Sequence, residues 1–343
     1  MTLLFIDSFD HYDTAEIPDK GYSEFLGTNH SIAIAGGRRG GNCLTSDGGA
    51  NDYLIKNFDD SDTIVAGFAY QWDAFPSNLL THAIEFIASD GTVLGTFDTT
   101  NAGALQITSG GQTETTVTGF YTPTQYNHYQ VKYTKGTGAD GFFELKKDNV
   151  IVLTITTSTA TKQCGAVRLL ETPAISDATL DDLYILNGLG TNNNDYLGDV
   201  RVDAHYSSAD GASSDFVPFI PGDNFEMTDE TLVDGDTTFL EAGTVASTEL
   251  HEVDTASLGT AIHGCQQVIY NRKTDAGTVT MDIISQKPAG SGKKVNENAL
   301  VVSDNYEFGL AVLEDDPDDS TFPWTDARIN ATEFGFEIDN IVV

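Results

Sequence analysis

The feature that most constrains this chain is a run of short apolar–polar alternations broken by turn residues. In "DTIVAGFAYQWDAF", Val65, Gly67, Ala69 and Gln71 fall on one face of an extended segment. Ile64, Ala66, Phe68, Tyr70 and Trp72 fall on the other, the period-two signature of a strand. "LLFIDSF", "HAIEFIASDGTVLGTFDTT", "YNHYQVKYTKG", "GFFELKKDNVIVLTITTS" and "LDDLYILN" repeat the pattern. Ser89-Asp90-Gly91, Ser109-Gly110-Gly111 and Lys147-Asp148-Asn149 supply turns between them. No segment of this half carries a helical period. Strands at this spacing predict an antiparallel sandwich.

The pattern loosens after Asp199. "DVRVDAHY", "QQVIYNRKTDAGTVTMDIIS", "NYEFGLAVLED" and "EFGFEIDNIVV" predict further strands. Between them Ser207 to Ala261 is long and polar, which predicts an arm that orders against a neighbour. "FPWTDARINATEFGF" is the best helix candidate, with Pro323 ahead of it. The fold class expected is all-β: two antiparallel β-sandwich (jelly-roll) domains with little helix. The boundary is set by the polar stretch after Asn187, giving domains 1–188 and 189–343. Charge shifts there too. Residues 1–186 hold 10 basic and 23 acidic side chains, net −13, and residues 187–343 hold 7 and 29, net −22.

The whole chain carries 17 Lys+Arg against 52 Asp+Glu, net −35 over 343 residues. Such a surface repels phosphate backbones and anionic lipid, so neither nucleic acid nor a membrane is an expected partner. Cys43, Cys164 and Cys265 are far apart and match no zinc spacing, so free thiols are expected. "MTLLFIDSFD" lacks the basic region of a signal peptide, and synthesis in a cytosol is expected.

Chemistry-bearing motifs are sparse. Asp181, Asp182, Asn192, Asn193, Asn194, Asp195 and Asp199 cluster in sequence. All are oxygen donors, so Asp181, Asp182 and Asp195 are the candidate ligands for Ca²⁺, the one cofactor considered. The spacing departs from an EF-hand loop, and a solvated turn is the competing reading. "EDDPDDS" from Glu314 is taken as a solvated loop. Glu337 and Asp339 share a strand face in "FEID", but no third carboxylate follows to complete a glycosidase set. His11, His30, His82, His128, His205, His251 and His263 form no ligand motif. "GGRRGG" at Gly36 to Gly41 lacks the Lys-Ser/Thr and helix of a phosphate cradle and is taken as a turn. Tyr70, Trp72, Phe75, Tyr121, Tyr126 and Tyr129 are either a sugar platform or core aromatics.

Residues 1–186 resemble a laminin-G/concanavalin-type jelly roll through "DSFDHY", "GGRRGGNCLTSDG", "YNHYQVKYTKG" with "GFFELKKDNVIVLTIT", and "DDLYIL". That family often binds glycans, sometimes with Ca²⁺. "MTLLFIDSFDHY", "LDDLYILNGLGTNNNDYLGDVRV" and "FPWTDARINATEFGFEI" resemble a family of tailed-bacteriophage virion structural proteins. The resemblance implies a non-enzymatic protein of the virion surface, made in the host bacterial cytosol. Capsid decoration or cement is the leading role, and a tail fibre or tip adhesin binding host glycans is the alternative. Phage capsid or tail proteins are the expected partners, and a homo-oligomer, preferably a trimer, the expected state.

Overall fold

The computed structural model describes residues 3–26, 30–46, 53–73, 81–137, 140–158, 160–171, 178–189, 192–259, 261–287, 292–317 and 323–342. Phe75 and the end of the "EDDPDDS" stretch lie outside them. The chain is all-β, and it divides into two compact units, Met1–Val202 and Asp203–Val343.

The first unit is a sandwich of two antiparallel sheets. One runs in the order Val150–Ser158, Gly141–Lys147, Asn127–Thr134, Thr63–Trp72, Ala178–Asn187, Cys43–Ser46, His30–Ala33, with Leu3–Asp7 also paired to Ala178–Asn187. The other runs Gln112–Thr115, Leu105–Ser109, Val93–Thr99, Thr81–Ile87, Cys164–Glu171, Tyr53–Ser61, Glu24–Leu26. Alternation decides which side chains meet between them. Phe68, Tyr129 and Phe143 of the first sheet point inward to Phe97 and Phe86 of the second, with ring centroids 5.0 Å apart for Phe97–Tyr129 and 5.6 Å for Phe86–Phe143. Each fully buried aromatic here contributes about 2–3 kcal/mol over leaving it exposed. Tyr70, Trp72, Tyr121 and Tyr129 are all core residues, exposed 2% or less, which removes them from any sugar platform. The Lys147–Val150 connection puts Asp148 and Asn149 at φ 47° and 67°, the doubly left-handed turn that matches strand twist.

The second unit is built on a five-stranded antiparallel sheet, ordered Ser207–Ser214, Thr248–Val253, Glu333–Val342, Thr278–Gln286, Lys294–Val302. A ribbon of Cys265–Asn271 and Glu307–Leu313 packs on it. Gln267 Nε2 donates to the Gly335 carbonyl at 2.7 Å, and a Cβ at Gly309 would sit 2.4 Å from Leu300 Cδ2. The cores are small: Phe216, Met281, Val302 and Ile338 in one, Ala256, Leu313, Trp324 and Ile329 in the other.

Two sequence expectations are corrected here, the polar arm and the solvated loop, while the helix candidate near the C-terminus is found as a short turn. The polar stretch from Ser207 is not an arm. It contributes the strands Ser207–Ser214 and Thr248–Val253 and the short ribbon Val217–Pro218 with Leu240–Glu241, so its order comes from its own sheet. The helix near the C-terminus is one turn, Asp326–Ile329, capped by Thr325, because the chain re-enters the sheet at Glu333. Asp316 of the supposedly solvated loop is fully buried and ion-paired with Lys287 and with Arg328, the latter at 2.8 Å.

The three cysteines are free, Cys43 and Cys164 buried and Cys265 half-buried. No helix among the described residues is long and apolar enough to cross a membrane.

Candidate functional site

The outer face of the first unit's larger sheet carries a cluster of polar side chains. Strand Asn127–Thr134 turns Tyr129, Val131 and Tyr133 into the core, and so turns His128, Gln130 and Lys132 outward. A bulge in the neighbouring strand completes the face. Asp181 pairs with Ala69 and Tyr184 with Gly67, so three residues span two, and Asp182 takes φ 53°. Asp181 and Tyr184 thereby share the outer face, and the tyrosine ring lies over Gly67, where a Cβ would meet it at 2.1 Å.

Residues 192–202 lie across this face. The sequence alternation of Val200 and Val202 predicts a strand there, yet the segment forms none. Its amides go to side chains of the sheet instead. Gly198 N donates to Gln130 Oε1 at 2.8 Å and Val202 N donates to Asp182 Oδ1 at 2.8 Å. Tyr184 also donates to Gln130 Oε1, at 2.9 Å. Arg38, from the "GGRRGG" turn, fixes the far end. Its amide donates to Asp181 Oδ2 at 2.7 Å, and its guanidinium grips Asp199 through two bonds of 2.5 and 2.7 Å. Lys132 pairs with Asp195 at 3.0 Å, and Lys146 Nζ stands 3.6 Å from the Tyr196 ring centroid.

Burial sets the chemistry. The His128 ring is fully buried, stacks on Tyr184 at 6.4 Å and has no hydrogen-bond partner at either nitrogen. Burial lowers its pKa to about 4, so it is neutral. Burial, and next the Asp182 carboxylate, raise the Asp181 pKa to about 7. The hydrogen bonds from Arg38 hold Asp199 below the usual carboxylate range. Burial keeps the Tyr184 phenol protonated. A neutral imidazole and a protonated phenol stand with three cations on one face, a set that can move a proton. In this arrangement segment 192–202 closes over it.

The expected Ca²⁺ ligands are distributed, not gathered. Asp181 and Asp182 adjoin at the bulge and are engaged by Arg38 and Val202, while Asp195 stands with Lys132. Among the described residues, the one group of three potential ligands with donor atoms within 4.8 Å of one another is Asp210, Glu249 and His251 in the second unit. Sequence reasoning missed it because it sought ligands by spacing along the chain. The available signal was the alternation in "ELHEV", which puts Glu249 and His251 on one strand face.

No family model matches the sequence, and no curated protein matches it. Solved structures do show similarity. Cip1, a cellulose-induced protein, aligns with a TM-score of 0.41 and 14% identity over 53% of this chain and 96% of its own. An endo-β-1,4-glucuronan lyase from the fungus Trichoderma reesei aligns at 0.39 and 10% over 53% and 94%. A sialidase aligns at 0.34 and 14% over 46% of this chain, which spans 16% of that enzyme. Alginate lyase Aly36B is also similar, at 0.37 and 14%. At these scores no residue's role transfers. The expectation of a non-enzymatic chain is corrected to this extent: the solved structures it resembles include proteins described as lyases and a sialidase.

Proposed function

We propose that this chain is a surface protein of a tailed-bacteriophage particle, on the capsid or the tail, and that it assembles with copies of itself through an apolar patch of the second unit. The observation that carries this reading is the run Val217-Pro218-Phe219-Ile220. Val217 is 58% exposed, Phe219 54% and Ile220 41%, and Phe219 stacks on Phe239 at 4.3 Å. Large apolar side chains grouped in solvent mark an interaction surface. On a chain of net charge −35 they supply the attraction that carboxylates oppose. The end and middle blocks that resemble phage virion proteins support the placement on a particle. Sedimentation of the purified protein tests the assembly. The wild type should run as a trimer of the 36.8 kDa chain and Phe219→Asp as a monomer. A monomeric wild type at all concentrations would contradict it.

A second reading, contact with host glycans by the first unit, is favoured by the His128, Gln130, Tyr184 and Arg38 face. Release of segment 192–202 would uncover a base, an acid and cations together. Incubating acidic polysaccharides with wild type and Asp199→Ala tests it, scored by binding and by the appearance of new chain ends. Neither binding nor cleavage by either protein would remove this reading.

A further inference from the structure

We infer that Asp210, Glu249 and His251 form a binding site for one divalent transition-metal ion, of the zinc or manganese class. The strand register brings them together. Glu249 and His251 alternate onto one face of Thr248–Val253, and Asp210 of Ser207–Ser214 is the register partner of His251. The pairing of the two strands is irregular between Asp210 and Ser214.

His251 is the observation that points to a ligand. It is 4% exposed, and neither ring nitrogen has a hydrogen-bond partner. A buried, unsatisfied imidazole is costly. Its Nδ1 stands 3.9 Å from Asp210 Oδ1 and its Nε2 3.7 Å from Glu249 Oε1, too far for hydrogen bonds. Donors held about 2.0–2.2 Å from one ion in a tetrahedron stand roughly 3.4 Å apart. One ion takes only one of the two ring nitrogens, and one donor atom from each of the three residues lies within 4.8 Å of the other two, so closure needs side-chain movements of roughly an ångström.

The surrounding bonds orient the carboxylates as ligands require. Glu249 Oε2 accepts from Phe216 N at 3.2 Å and from Asn224 Nδ2 at 3.0 Å. Oε1 accepts from Ser214 Oγ at 3.2 Å and keeps capacity toward His251. Asp210 Oδ1 accepts from Phe225 N at 2.7 Å and Oδ2 from Asn224 N at 3.4 Å. An ion here would tie the sheet edge to the helical turn Asn224–Met227. The imidazole selects against Ca²⁺, which takes oxygen ligands alone. Asp210 is partly exposed, so water has access to the remaining coordination positions.

The test is titration of the full chain, stripped with chelator, with ZnCl₂ followed by calorimetry, and with CoCl₂ followed by visible absorption. One ion per chain should bind, with cobalt absorption showing a nitrogen ligand. His251→Ala and Asp210→Asn should each weaken binding at least tenfold, and CaCl₂ should not compete. Circular dichroism establishes that each variant is folded. Asp210→Asn, at the exposed edge, serves if His251→Ala does not fold. A wild type that binds neither metal, or folded variants that bind as the wild type does, would overturn the site.

Discussion

The Tyr184 ring lies so close over Gly67 that a Cβ at residue 67 would sit 2.1 Å from its Cε1 and Cζ atoms. Glycine here is a requirement of packing: the two are register partners, and the tyrosine is fully buried with its hydroxyl bound to Gln130. Gly67→Ala must displace the ring. It should destabilise the first unit by about 1–3 kcal/mol, measured by urea unfolding, whereas Ala69→Gly on the same face should cost less. Equal stability of Gly67→Ala and wild type would contradict the packing described.

Arg38 and Asp199 hold the segment that crosses the sheet. Arg38→Ala removes a bidentate but partly exposed pair, worth about 1 kcal/mol. Its larger effect should be local. The amides of Gly198 and Val202 should lose hydrogen-exchange protection and new protease cuts should appear within 192–202, with the sheet amides unchanged. Unchanged protection at Gly198 would show that Arg38 is not the clasp.

Asp181 and His128 oppose each other as pH falls. Burial raises Asp181 to about 7 in the folded protein, against about 3.9 unfolded. The folded state therefore holds its proton more tightly, and stability increases as pH drops from 7 towards 4. His128 is lowered to about 4, so the unfolded state takes up the proton first and stability decreases from about pH 6.5 to 4. Asp181→Asn deletes the compensating group. Its loss of Tm between pH 7 and 4.5 should be steeper than that of the wild type, and an identical slope would refute the assignment.

Asp316 has no exposed surface and is paired with Lys287 and Arg328. Removing one cation leaves a buried carboxylate undercompensated. Arg328→Met should cost about 3–5 kcal/mol in the second unit, read from its unfolding transition. A cost below about 1 kcal/mol, within the range of surface pairs, would contradict this burial.

Strand alternation made the sandwich legible: the inward set Phe68, Tyr70 and Trp72 and the outward set Gly67 and Ala69 follow from period two alone. Turn chemistry located the hairpin at Asp148-Asn149. What sequence did not reveal depends on contacts between distant residues. Arg38 meets Asp199 across 161 positions, and Gly198 meets Gln130 across 68, so a segment whose valines alternate lies across a sheet instead of joining it. The bulge at Asp182 interrupts the strand's alternation between Asp181 and Tyr184. His251 looked isolated because its partner Asp210 lies on another strand. The polar stretch after Ser207 looked structureless because its strand, "SSADGASS", is edge-placed and carries no apolar stripe.

The proposed place on a phage particle is tested most directly by quantitative mass spectrometry of tailed-phage particles, gradient-purified from a lysate in which the chain is produced. Its peptides should co-purify with the particles, at a copy number divisible by three. Their absence from particles, with the protein abundant in the lysate supernatant, would contradict it.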